Sequence, residues 1–321
     1  MAGHEDTFHH VRDFPHFELP FGVKIELPEI PFLPSPTKLV AWMTDPGFTG
    51  SVMGLQLTKF MVLQVVAGLL TFWIFTGMVR RVRSGQAVSG RWWNFWEMLA
   101  LFIRDEVVRK TIGDGHHGHD DHGHGDDHGH HAAHDHSRKD VESGHPADKY
   151  LPFIWSCFFY VLWCNLLGAF PWVGSATGEI NVTGALAITA FGATVYYGSK
   201  ELGFAGFWKA IAPSMDVPGL LKAPLFILIW VIEFVGLFIK HGVLAIRLFA
   251  NIMAGHTVVA AILGFIAMDG VWNSGLYYVV TPASIFGQVA IGMMELGVAF
   301  LQAYIFSFLA TLFIGTAVHP H

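Results

Sequence analysis

Charge is scarce in this 321-residue chain: Asp, Glu, Lys and Arg make up 14% of it, against about 25% in a soluble globular domain. That deficit argues against a cytoplasmic enzyme. Only two cysteines are present, Cys157 and Cys164, so a disulfide scaffold is excluded. They stand seven apart in one apolar run, about 10 Å along a helix, beyond the ~7 Å Cα separation that a disulfide spans. Both read as packing residues. Excess positive charge is missing too: the formal net charge is −6, which excludes a nucleic-acid binder. No phosphate-cradling GxxxxGK[ST] loop occurs, so no nucleotide chemistry of that kind is expected of this chain, and no cofactor is expected. The first 53 residues hold seven prolines and no continuous apolar core, which excludes a secretory signal peptide.

What is abundant is apolar surface, at 53% of residues, and it is clustered. Residues 60–79, 151–170 and 180–198 each give about 20 mostly apolar positions, the length that crosses a hydrocarbon core. Two proline-free stretches are longer, Leu225–Met268 and Ala283–Val318. As single helices at ~1.5 Å per residue they run about 66 and 54 Å, roughly twice the bilayer core. They must then tilt steeply, bend or project; breaks at glycines such as Gly242 or Gly292 are the alternative. The fold class expected is an all-α polytopic membrane protein. It has about five crossings, the last two forming a long, steeply tilted hairpin, and one interfacial amphipathic helix. The segments expected are an extended extracytoplasmic tail (1–53), a first transmembrane helix (54–79), the interfacial helix (91–110), a His/Asp/Gly-rich insert (113–149) and a helical domain (150–321).

Lys and Arg set the orientation. Segment 80–149 holds ten of them and 199–223 holds three, while loops 171–179 and 269–282 hold none. The positive-inside rule puts the first two in the cytoplasm, with the N-terminus outside and the C-terminus inside. In residues 91–110, Trp92, Phe95, Trp96, Leu99, Phe102, Ile103 and Val107 recur at helical spacing. Tryptophans on such a helix beside a span suggest one lying in the membrane interface.

Charge at membrane depth costs at least ~2.5–3.5 kcal/mol per group, so the polar residues that persist there call for a reason. In the fourth crossing they are Glu233, Lys240, His241, Arg247, Asn251 and His256; in the fifth, Gln288, Glu295, Gln302 and Tyr304. Arg247 lies near the centre of its stretch, with no acid within four residues. It is too far from either end to snorkel and cannot deprotonate. Glu233 precedes it by 14 residues, about 21 Å of helix, and His256 follows it by nine, about 13 Å. Asn251 is one turn from Arg247; Glu295 and Gln302 are two turns apart on one face. Protonatable groups on both sides of a fixed cation suit two separate aqueous passages.

Residues 113–136 consist of ten His, six Asp, six Gly and two Ala. With no apolar residue to build a core, the insert reads as a disordered cytoplasmic linker. His116, His117, His119, His122, His124, His128, His130, His131, His134 and His136 could hold divalent metal weakly. This raises an alternative reading, a divalent-metal transporter with a His-rich loop. That reading lacks paired ligands at membrane depth: His241 and His256 are each followed at i+4 by Ala, and Arg247 would repel the cation.

RLFANIMAGH (247–256), ELGVAFLQAYIF (295–306), NLLGAFPW (165–172), NVT (181–183) and FIRDEVVRKTIG (102–113) resemble subunit a of the F-type rotary ATP synthases. The likeness covers about 54–113 and 149–318 and leaves the insert and the long tail outside the family's common core. It implies a channel-forming stator subunit in a bacterial inner (plasma) membrane, working with a c-subunit ring and b-type peripheral-stalk subunits and catalysing nothing alone. It further implies that Arg247 is the essential arginine, that His256 and Glu295 form the outer-channel pair, that Asn251 and Gln302 stand near the arginine, and that Glu233 is an inner-channel acid. It agrees with a hairpin running nearly horizontally along the ring. For the insert, deleting 114–136 is expected to leave coupled ATP synthesis unchanged with and without zinc; an altered zinc response would assign it a metal-linked role.

Overall fold

The computed structural model describes residues 15–19, 23–44, 53–83, 90–113, 145–170, 174–211, 222–266 and 275–319. The insert histidines 116–136 lie outside the described residues. Among the described residues, five helices are long and apolar enough to cross a membrane. They are α2 (Lys59–Arg83), α4 (Leu151–Gly168, entered through a 3-10 turn at Pro146–Tyr150), α5 (Ile180–Leu202), α7 (Lys222–Ile266) and α8 (Tyr277–Val318), with the short α6 (Phe204–Ala210) between α5 and α7. Apolar sequence becomes helix here because only a helix pairs every N–H and C=O within its own segment when no water is available.

The two long stretches are each one helix, of 45 and 42 residues, and neither Gly242 nor Gly292 interrupts them. At ~1.5 Å per residue they run about 68 and 63 Å. The last helix starts earlier than the proline-free stretch: Pro282 lies inside its second turn, where the missing N–H removes one backbone hydrogen bond.

Among the described residues, the N-terminal segment contains short paired strands and a helix. Strands β1 (His16–Leu19) and β2 (Val23–Glu26) pair antiparallel with His16 opposite Glu26. Strand β3 (Glu29–Pro34) is followed by the short helix α1 (Pro36–Thr44) and pairs with β4 (Met53–Gln56), Glu29 opposite Gln56. The first crossing therefore starts at Lys59 rather than at residue 54, because Met53–Gln56 is committed to a strand.

Helix α3 (Arg91–Phe102) corresponds to the expected amphipathic helix, but its continuation Ile103–Arg109 is π-helical before an α-turn at Lys110–Gly113. The wider turn shifts the apolar stripe out of its 3.6-residue register. Of the residues at helical spacing, Trp96, Ile103 and Val107 are buried, joined by Val108, while Trp92, Phe95 and Phe102 are exposed.

The chain forms two compact units. The first comprises Met1–Phe72, Tyr160–Ala185 and Ala245–Gln302. Its core cluster is Phe60, Leu63 and Ala176, with Phe17 and Leu167 packed on it. The second comprises Trp73–Phe159, Leu186–Leu244 and Ala303–His321. In it Trp93 lies against α2 at Gly77, where any Cβ would strike the indole. The Trp93 ring centre is 5.6 Å from that of Trp73, and the Arg81 guanidinium sits 4.0 Å above it. Trp155 on α4 donates its indole N–H to the Ala100 carbonyl at 2.9 Å, so α3 is pinned to α4.

Polar pairs hold the second unit across the insert. Arg109 grips Asp148 with two parallel bonds, Nε to Oδ1 at 3.0 Å and Nη2 to Oδ2 at 2.8 Å. Asp105 takes the Arg104 guanidinium at 2.8 Å, and this hydrogen bond holds its carboxyl below the usual carboxylate range. Both partners of the Arg109–Asp148 fork are about one-third exposed, which caps its worth near 1 kcal/mol. Arg109→Lys, which keeps the charge but loses the fork, is expected to lower the thermal midpoint of the detergent-solubilised complex by no more than a few degrees. A loss as large as that of a buried core truncation would contradict this ranking.

Candidate functional site

Three of the expected site residues meet in the first unit. A cavity of about 140 Å³ is lined by Asn251, Gly255 and His256 of α7, Glu295 of α8, and Asn165 and Gly168 of α4. Asn251 and His256 are five residues apart on α7, about 140° around the helix, and the cavity reaches both. The Glu295 carboxylate rests directly on α7 at Gly255, where a Cβ would collide with its Oε1. Glycine at 255 is thus what lets the acid approach the neighbouring helix backbone.

Asn165, part of the NLLGAFPW motif, also lines this cavity, a place that spacing along the chain does not indicate. It is fully buried. Its Oδ1 accepts the Thr177 hydroxyl at 3.0 Å, and Thr177 lies 3.0 Å from the Ser175 hydroxyl. Its Nδ2 has no partner within the described chain. Ser175 in turn packs so closely on Gly168 that any Cβ there would strike its side chain. An Asn inside an otherwise apolar crossing was the signal that could have found this cluster, since an amide in hydrocarbon needs partners.

Arg247 lies outside that cavity's lining. It sits on the exposed face of α7, among exposed Val243, Ile246 and Val258, and makes no hydrogen bond or ion pair among the described residues. Helix α8 also carries an exposed apolar face, through Ile285, Phe286, Val289 and Met293. Gln302 is 4% exposed, and its Nε2 has no hydrogen-bond partner among the described residues. Tyr304 belongs to the second unit, where it packs between Phe102 and Phe308 with ring centres 5.7 and 6.1 Å away.

Glu233 lines a cavity of about 270 Å³ in the second unit, together with Lys240, Thr194, Leu237, Phe313 and Thr316. Its carboxylate lies 3.9 Å from the Lys240 ammonium, and both side chains are about half exposed. Such a pair, two turns apart on one helix, contributes little to stability and leaves both groups reachable from the cavity. Among the described residues no group of three or more His, Cys, Asp or Glu is placed to hold a metal ion.

Gly255→Ala is expected to change stability by less than about 1 kcal/mol, since relief of a helix glycine offsets the movement of a flexible carboxylate. It should nevertheless displace Glu295 from the cavity. Carbodiimide labelling of Glu295 followed by mass spectrometry should then change several-fold; an unchanged rate would mean that the acid does not rest on Gly255.

Comparison with known proteins bears on the whole arrangement. Residues 134–315 match the family described as ATP synthase A chain. ATP synthase subunit a of Chloroherpeton thalassium is 32% identical over 318 residues, covering 98% of this chain and 76% of that protein. The subunit a of an Anaeromyxobacter species is 34% identical over 265 residues, covering 82% of this chain and 55% of the relative. That of Brucella ovis is 39% identical over 179 residues, covering 56% and 69%. The chain thus spans between about half and three-quarters of these relatives' lengths. The family does not favour the metal-transporter alternative. With five apolar helices long enough to cross a membrane and a match over more than half its length, the chain is a multi-pass membrane protein that belongs to the ATP synthase subunit a family.

Proposed function

We propose that this chain is the stator subunit through which protons reach and leave a ring of c subunits in a rotary F-type ATP synthase. The observation that carries the reading is Arg247, a permanent cation on an exposed apolar helix face. A guanidinium does not deprotonate, and at membrane depth it costs at least ~2.5–3.5 kcal/mol when unpaired. The counter-ion is an acid on a neighbouring subunit, the c-ring carboxylate.

The mechanism follows from the electrostatics of that carboxylate. Facing lipid, it is protonated, because desolvation disfavours the ionised form. Opposite Arg247 the ionised form is favoured and the proton leaves. Glu233, in its cavity with Lys240, serves the passage toward the cytoplasm. The cavity holding Asn251, His256 and Glu295 serves the passage from outside and reloads the ring. Gln302, buried two turns from Glu295, orients the groups nearest the arginine. The fixed positive charge of Arg247 bars a proton from passing between the two passages without turning the ring. Each elementary charge moved is driven by about 2.3 kcal/mol per 100 mV.

In this reading the N-terminus is outside, the C-terminus is cytoplasmic, and the membrane is a bacterial inner (plasma) membrane. The chain is held against the ring by b-type peripheral-stalk subunits and carries no nucleotide site. Arg247→Ala is expected to abolish ATP-driven acidification of inverted vesicles while the complex still assembles. Normal pumping by that assembled variant would sink the mechanism.

A further inference from the structure

His241 is a buried ionisable side chain on α7 that the proposed mechanism leaves idle, and its setting differs from that of a packing residue. It is 4% exposed, eight residues after Glu233 and six before Arg247. Its ring meets Phe313 with centres 4.7 Å apart and Phe191 edge-on at 5.3 Å. Nδ1 lies 2.8 Å from the Leu237 carbonyl, and Nε2 lies 3.4 Å from the Thr194 hydroxyl. A carbonyl only accepts, so Nδ1 carries a hydrogen and the neutral ring has its lone pair on Nε2, aimed at Thr194.

The Thr194 hydroxyl has two uses for its proton. It also lies 3.0 Å from the Ala190 carbonyl one turn back on α5, so it can donate there or to Nε2. When it donates to Ala190, its oxygen is free to accept from a protonated Nε2. Either protonation state of the ring is therefore fully hydrogen-bonded, with only the hydroxyl rotating. A histidine retained for packing alone has no need of a partner that can reverse. Three of its contacts, Thr194, Leu237 and Phe313, line the same cavity as Glu233 and Lys240.

We infer that His241 and Thr194 form a proton-accepting station of the inner passage, loaded from the Glu233–Lys240 cavity through the Thr194 hydroxyl. A proton arriving from the cavity binds the Thr194 oxygen as the hydroxyl proton passes to Nε2, giving the imidazolium; release runs the same transfers backward, so protons balance. The charged groups facing the pair are few. Ile188–Val195 of α5 and Phe306–Ala317 of α8, which carry the packing contacts, have no ionisable side chain. Lys240 and Glu233 on α7 are the charges that bias the station, the ammonium opposing the imidazolium and the carboxylate favouring it.

The inference rests on the proposed proton-conducting role, and the test separates the two. The complex is reconstituted in vesicles, and proton flux is followed while the pH at the cytoplasmic face is varied between about 5.5 and 8.5, the range that brackets a histidine. The parent is expected to show an inflection in that range. His241→Gln and Thr194→Val should lose the inflection and conduct several-fold less, whereas Thr194→Ser, which keeps the hydroxyl, should retain it. A parent-like profile in His241→Gln overturns the inference. Should that variant fail to assemble, identical profiles for Thr194→Val and Thr194→Ser overturn it instead. ATP-driven pumping that survives in Arg247→Ala would remove the proposed role itself; pumping blocked there, with unaltered profiles at 241 and 194, removes only the station.

Discussion

Desolvation governs this chain. Inside hydrocarbon every backbone amide must be paired within its own segment, and every charge must find a counter-charge or water. The first demand produces five long helices. The second explains why so few polar groups survive among them, and why those that do lie at cavities, against other helices, or on a face open to a neighbour.

The polar groups show three distinct solutions to that constraint. Glu295 is half-buried and laid against α7 where Gly255 leaves room. Glu233 and Lys240 face each other across two helical turns beside open space. Asn165, Thr177 and Ser175 share their hydrogen bonds in a fully buried cluster. Arg247 follows none of these, and the contrast gives it its weight: the same helix that provides for its other polar side chains leaves this one facing outward.

Much of the architecture was legible from apolar run length, since a stretch of twenty or forty apolar residues has one stable backbone solution in a membrane. Apolar length allowed either one helix or a break at a glycine such as Gly242 or Gly292, and the structure shows α7 and α8 unbroken. What periodicity could not give was the π-helical turn at Ile103–Arg109, because a change of helical pitch re-phases the stripe without changing composition. The strands before Lys59 were also hidden, since short proline-rich segments pair through backbone rather than through any side-chain pattern. At the candidate site, scarcity singled out Arg247, His256 and Glu295. Asn165 and the reversible partner of His241 depend on contacts between distant segments, which spacing along one helix does not encode.

The outward apolar faces of α7 and α8, with a guanidinium set among aliphatic side chains, bear on how such a chain assembles. Until a partner covers that face, the solitary subunit bears the cost of an uncompensated cation at membrane depth, at least ~2.5–3.5 kcal/mol. On the proposed reading, docking relieves that cost, so the same residue that would hold the counter-ion also favours the assembled state over the free one.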